Sequence, residues 1–194
     1  VYNPALEPTA ATLSTTSLAL LLTITALFTA PVIAANTDDT DTADIGTSLR
    51  LVAPHVQTVT DTAQSLWKWA ELGYLETESS GLLQETLAAA GFRIDTGVGG
   101  IPTAFTASFG NGKPVIGIMG EFDALPGISQ AAVPYAESLD GKPNGHACGH
   151  NLFGAGSLGA ALAGKDWLEK TGQPGTVRFF GAPAEEGGSG KGCL

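Results

Sequence analysis

Positive charge is scarce in this chain. Nine Lys and Arg stand against 19 Asp and Glu in 194 residues, a formal net charge of −10. No basic stripe offsets phosphate repulsion, which makes nucleic acid a poor partner. Cysteine is scarce too. Cys148 and Cys193 are too few for a disulfide framework, and they lack the paired spacing of a zinc finger. Cys193 reads as a bystander. Charged residues make up only 14% of the chain and hydrophobic residues 43%, a balance that argues against general disorder. The length suits one domain with a real core, and no internal repeat divides it. Glycine is plentiful instead: 26 residues, clustered in the second half around the chemistry described below.

Leu18 to Ala35 is almost wholly apolar, with Pro31 near its end and small residues at Val32-Ile33-Ala34. It reads as an export signal or a retained membrane anchor, although no Lys or Arg precedes Arg50 to supply a positive leader. The expected location is exported or membrane-anchored, and cytoplasmic if this segment is not a signal. Residues 1–35 are therefore assigned to the apolar segment, 36–46 to an acidic linker, and 47–194 to a folded domain.

Val56, Val59, Ala63, Leu66 and Ala70 recur at helical spacing and predict a helix ending before Gly73. Ser79 and Ser80 can cap a second helix that stops at Gly91. Phe105, Ala107 and Phe109 alternate with polar neighbours and predict a strand with one wet face. Pro114 to Met119 reads as a buried central strand, Leu152 to Leu168 as a helix, and Thr176 to Gly181 as another buried strand. Strands alternating with helices predict an α/β fold: a three-layer sheet flanked by helices, mixed or largely parallel.

Two short segments carry the chemistry. Gly145-His146-Ala147-Cys148-Gly149-His150-Asn151 places a thiol and two imidazoles between glycines. Ala184-Glu185-Glu186-Gly187-Gly188 places adjacent carboxylates after an apolar strand. Thiolate, imidazole and carboxylate are ligand types for zinc or a similar divalent ion. A second carboxylate beside them can accept a proton from water. In an extended segment neighbours point to opposite sides, so one glutamate can bind metal while the other faces the water. Glu121 and Asp123 flank Phe122 and leave a strand end on one face, where Asp123 can orient a ligating histidine. Both carboxylate pairs fall at carboxyl ends of strands, where functional loops collect. These features point to a metal-dependent hydrolase.

A thiol hydrolase using Cys148 and His150 is a weaker reading, because residues two apart in a tight loop rarely reach the required geometry. His146 is ambiguous, and His55 on the first helix reads as structural or exposed. Gly154-Ala155-Gly156-Ser157-Leu158-Gly159 spells the dinucleotide pattern, yet no hydrophobic strand precedes it. Its small residues are better explained by a helix packed close to the sheet.

The segments Gly120 to Pro126, Gly145 to Asn151 and Pro183 to Gly188 resemble three ordered motifs of the aminoacylase/carboxypeptidase-type dinuclear metallo-amidohydrolases. Ala70 to Tyr74, Gly100 to Phe105 and Asn151 resemble most closely the aminobenzoyl-glutamate hydrolase branch. The resemblance implies two divalent metal ions, Zn or Mn. Cys148, His150 and Glu186 would be ligands, Glu185 the general base and Asp123 an orienting residue. It implies cleavage of the amide bond of N-acyl or N-aroyl amino acids, and oligomerisation in the full-length enzyme. Members carry further histidine ligands and an inserted lid in later segments. This chain has three histidines in all and no counterpart of the lid, so it is expected to be the amino-terminal part of a longer enzyme. The rival expectation is a fragment that binds metal or ligand without turnover.

Overall fold

A computed structural model describes residues 39–139 and 141–194, with side chains from residue 45 onward. The apolar segment 18–35 lies outside the described residues. Among the described residues no helix is long and apolar enough to cross a membrane.

Asp44–Leu194 forms one compact unit. Helix α1 (Asp39–Val52) takes in most of the stretch expected as an acidic linker. No proline interrupts that stretch, so nothing in its backbone chemistry stops a helix. Helix α2 (Val56–Trp69) follows and ends at Ala70 in the left-handed conformation. Helix α3 (Thr77–Ala89) is capped differently from expectation. The carboxylate of Glu71, not Ser79 or Ser80, accepts the free N–H groups of Glu78 (3.0 Å) and Ser79 (2.8 Å) at its first turn.

Strands β1 (Arg93–Thr96), β2 (Phe105–Asn111), β3 (Val115–Glu121) and β4 (Gly175–Ala182) form one sheet in the order β1-β2-β4-β3. β1 pairs antiparallel with β2, β2 antiparallel with β4, and β3 parallel with β4. The long helix α4 (His150–Thr171) connects β3 to β4. The sheet is thus mixed, as expected. β3 is not the buried central strand expected: it lies at the sheet edge, with Val115, Ile116 and Met119 exposed. Its apolar run matches that of a central strand, but among the described residues only β4 pairs with it.

Leu66 of α2, Leu83 and Leu87 of α3, and Leu158 and Leu162 of α4 pack on Phe105, Ala107, Val177 and Phe179 of the sheet. Phe105 and Phe179 stack with ring centroids 5.7 Å apart. Helices α2, α3 and α4 thus flank one mixed sheet, in line with the architecture expected from sequence. The decoy glycines lie inside α4. A side chain at Gly154 would meet the Glu121 carbonyl at 2.7 Å, and one at Gly159 would meet Val59 at the same distance. Close packing accounts for Gly154 and Gly159, whereas a side chain at Gly156 would meet nothing.

Candidate metal centre

The parallel pairing of β3 with β4 decides where the site sits. Glu121 is in register with Ala182, so both strands deliver their following loops to the same end of the sheet. After β3 the chain runs through Asp123 to Ala124 and Leu125. Those two are tied by backbone hydrogen bonds to Glu71 (2.8 Å) and Gly145 (2.9 Å). That tie brings the Gly145–Asn151 loop beside Asp123. Gly149, at φ 87°, then turns the chain into α4, and His150 is the helix's first residue. After β4, Ala184 leads into the single helical turn Glu185–Gly188.

His150 is the centre of the site and is 4% exposed. Its Nδ1 lies 2.9 Å from Asp123 Oδ1 and 3.2 Å from the Asp123 carbonyl oxygen. Both are acceptors, so Nδ1 carries the proton and donates. Its Nε2 faces Glu121 Oε2 at 3.0 Å and Glu185 Oε2 at 3.8 Å. Glu186 Oε1 lies 3.7 Å from Nδ1, and the Glu186 N–H donates to Asp123 Oδ2 at 2.9 Å. The buried Asp123 carboxylate thus holds both the imidazole and the glutamate turn.

Two groups of side chains can each hold a cation: Cys148, His150 and Glu186, and Glu121, His150 and Glu185. Within each, the ligand atoms lie within 4.8 Å of one another. Glu186 Oε1 is buried without a hydrogen-bond partner, a costly arrangement that a cation would relieve. The Cys148 thiol is pushed up, first by its hydrogen bond to Glu186 and further by the nearby Glu185 and Glu121. Surroundings that hold a proton on sulfur also attract a metal cation, which takes that proton's place. The residues present therefore fit divalent metal. Lys191 brings an ammonium group to the site, its Nζ 2.5 Å from Glu121 Oε1 and 3.5 Å from Glu185 Oε1. These carboxylates, Glu121 first, strengthen its hold on its proton.

All five residues singled out from sequence, Cys148, His150, Glu186, Glu185 and Asp123, meet in this one place. His146 does not join them. Its Nε2 contacts the Leu66 carbonyl at 3.0 Å, and burial lowers its affinity for a second proton. His55 pairs with Asp166 of α4 at 2.7 Å, a structural tie. Both cysteines are free. Sequence reasoning assigned no role to Glu121, Lys191 or Glu76. Glu121 had a signal, sharing a strand face with Asp123; the other two depend on contacts between distant segments.

Residues 117–193 match the model of peptidase family M20/M25/M40. The chain carries a peptidase family M20 domain. It is 52% identical over 136 residues to one of the subunits of p-aminobenzoyl-glutamate hydrolase from Escherichia coli (strain K12), covering 70% of this chain and 28% of that protein. Identity to N-acetyl-L-cysteine deacetylase of Bacillus subtilis (strain 168) is 33% over 131 residues, 64% of this chain and 29% of the relative. The chain therefore spans less than a third of the length of these relatives. A crystal structure of a dinuclear metal binding peptidase from the M20 family, from Bacillus subtilis, superposes with a TM-score of 0.56 at 30% identity, covering 67% of this chain and 35% of that one. The motifs legible in the sequence thus lie on an M20-type fold, and the matched region includes Cys148, His150, Glu185 and Glu186.

Proposed function

We propose that this M20 domain takes part in metal-dependent hydrolysis of the amide bond in N-acyl or N-aroyl amino acids, aminobenzoyl-glutamate among them. The observation that carries the reading is the convergence of thiol, imidazole and unpartnered carboxylate on one point, with Glu185 beside it and one-third exposed. Cys148, His150 and Glu186 would hold metal. The Glu121, His150 and Glu185 group is an alternative seat for that cation, since His150 has one free nitrogen to give, and zinc and manganese both suit such donors. When bound, divalent cations polarise an amide carbonyl and lower the pKa of water.

The geometry supports a part for the protein's own residues. Asp123 accepts a hydrogen bond from His150 Nδ1–H, leaving the His150 Nε2 lone pair free for a cation. Glu185 is one-third exposed beside His150, open to solvent water. Its carboxylate takes a proton from the attacking water and returns it to the leaving amine, giving an acid and an amino acid. The activities named for the Escherichia coli and Bacillus subtilis relatives support this substrate class. The former is one subunit of its hydrolase, which supports a multi-subunit assembly.

The rival reading is metal binding without turnover, for which the ligand cluster alone would suffice. A thiol hydrolase is disfavoured, because carboxylates surround Cys148 and hold its proton. The test is hydrolysis of N-(4-aminobenzoyl)-L-glutamate after chelation and after adding back Zn²⁺ or Mn²⁺. Activity should vanish and return. Glu185→Gln should lose it while still taking up metal. Turnover persisting in Glu185→Gln would sink the assignment, and metal uptake with no turnover in the unaltered protein would favour the rival reading.

A further inference from the structure

We propose that residues 73–76 form a clamp that fixes the Glu185–Glu186 turn, with Glu76 as its positioning residue; this rests on the metal-centre reading above. Glu76 is fully buried, far from the motifs in sequence, and its carboxylate does not touch His150. Its Oε1 accepts the Ala184 N–H at 2.8 Å, and its Oε2 accepts the Thr103 hydroxyl at 3.0 Å. The Glu76 carbonyl receives the Ser80 N–H at 2.9 Å, which anchors the residue to the start of α3.

The rest of the segment grips the same turn. A side chain at Gly73 would come within 3.0 Å of Ala184 Cα, so the two backbones are in close contact there. The Tyr74 hydroxyl donates to the Gly188 carbonyl at 2.6 Å, and its ring lies where a Gly188 side chain would be. Tyr74 (φ 66°) and Ala184 (φ 55°) are both left-handed, an arrangement that persists only where surrounding contacts over-determine it. Two carboxylates thus hold alternate amides of the turn. Glu76 takes Ala184 N–H and Asp123 takes Glu186 N–H, which fixes the backbone of Glu185 between them. A buried carboxylate is an expensive way to satisfy one amide. Its use is to fix that amide's position relative to α3.

The experiment is calorimetric titration of Zn²⁺ into the full-length protein and its variants. Glu76→Ala should weaken binding ~10-fold, as loss of an orienting partner does. Glu76→Gln should bind like the unaltered protein, because its amide oxygen still accepts from Ala184. In a Glu186→Ala background, Glu76→Ala should cost nothing further, because the ligand that it positions is gone. A folded Glu76→Ala with unaltered Zn²⁺ affinity, alongside a weakened Glu186→Ala, overturns the clamp alone. Unaltered affinity in Glu186→Ala overturns the metal reading and the clamp with it. Where circular dichroism shows Glu76→Ala unfolded, Tyr74→Phe decides. It removes one hydroxyl from an exposed side chain, and weakened Zn²⁺ binding in a folded protein supports the clamp; unaltered binding overturns it.

Discussion

Asp123→Asn should separate the stability of this site from its affinity for metal. The Asp123 carboxylate is 1% exposed and accepts from two donors, His150 Nδ1 and the Glu186 N–H, each at 2.9 Å. An asparagine offers one acceptor oxygen and one NH₂ group. The Glu186 amide can only donate, so it keeps the oxygen. The imidazole can change tautomer, so it meets the NH₂ by accepting through Nδ1 and moving its proton to Nε2. One charged acceptor becomes neutral, a loss of about 1–2 kcal/mol in hydrogen bonding. Part of that loss is offset, because one negative charge leaves a site shared with Glu121, Glu185 and Glu186. Stability should therefore fall little. Metal affinity should fall about 10–100-fold, because Nε2 now carries a proton where a cation needs its lone pair. Urea unfolding gives the first quantity, Zn²⁺ calorimetry the second, and the nitrogen chemical shifts of His150 report the tautomer directly. Asp123→Asn binding Zn²⁺ like the unaltered protein would refute the reasoning. So would an Nδ1–H tautomer in the variant.

Further outcomes are expected. Gly181→Ala should destabilise the fold by about 1–3 kcal/mol in chemical denaturation, since a new methyl would strike the buried Phe105 ring that stacks on Phe179. Glu76→Gln should gain stability relative to the unaltered protein as pH rises. Burial raises the Glu76 pKa above its ordinary 4.5, so the native state holds that proton more tightly than the unfolded chain. That contribution is fully present below 4.5 and is lost as pH climbs through the folded value, whereas glutamine does not titrate. Paired melts across the acid range check the sign, and a difference that shrinks with rising pH would refute it. Zn²⁺ at 100 times its Kd should stabilise the protein by about 2.7 kcal/mol, visible as a higher Tm. An unchanged melt would mean that the native state offers no metal site.

The site was legible in sequence because its motifs are contiguous. His150 and Cys148 are two residues apart, Glu185 and Glu186 are adjacent, and Glu121 and Asp123 share one face of a strand end. Parallel strands bring their following loops to one edge whatever the intervening length, so the convergence could be expected before any coordinates. What escaped was whatever depends on contacts between distant segments. Lys191 reaches Glu121 across 70 residues and Glu76 reaches Ala184 across 108, and no local pattern encodes either. The cap of α3 escaped for the same reason, since Glu71 competes with two serines that look better suited. The edge position of β3 was hidden because an apolar run reads alike whether one neighbour or two pair with it.

These features share one electrostatic cause. Four carboxylates and a thiol converge on a single imidazole, and like charges 4 Å apart repel by about 4 kcal/mol near a protein surface. The fold cannot remove that repulsion without removing the ligands, so it distributes the charge over fixed donors. Asp123 takes an imidazole N–H and a backbone amide, while Glu121 takes the Lys191 ammonium. Glu186 keeps one buried oxygen with no donor at all. That oxygen is a ligand atom that a cation could engage without displacing a donor. A metal arriving there competes with the proton on Cys148 for the sulfur lone pair, and the second group also engages Lys191. Metal affinity, pH and the Lys191 contact are therefore parts of one equilibrium, and a change in any one must shift the other two.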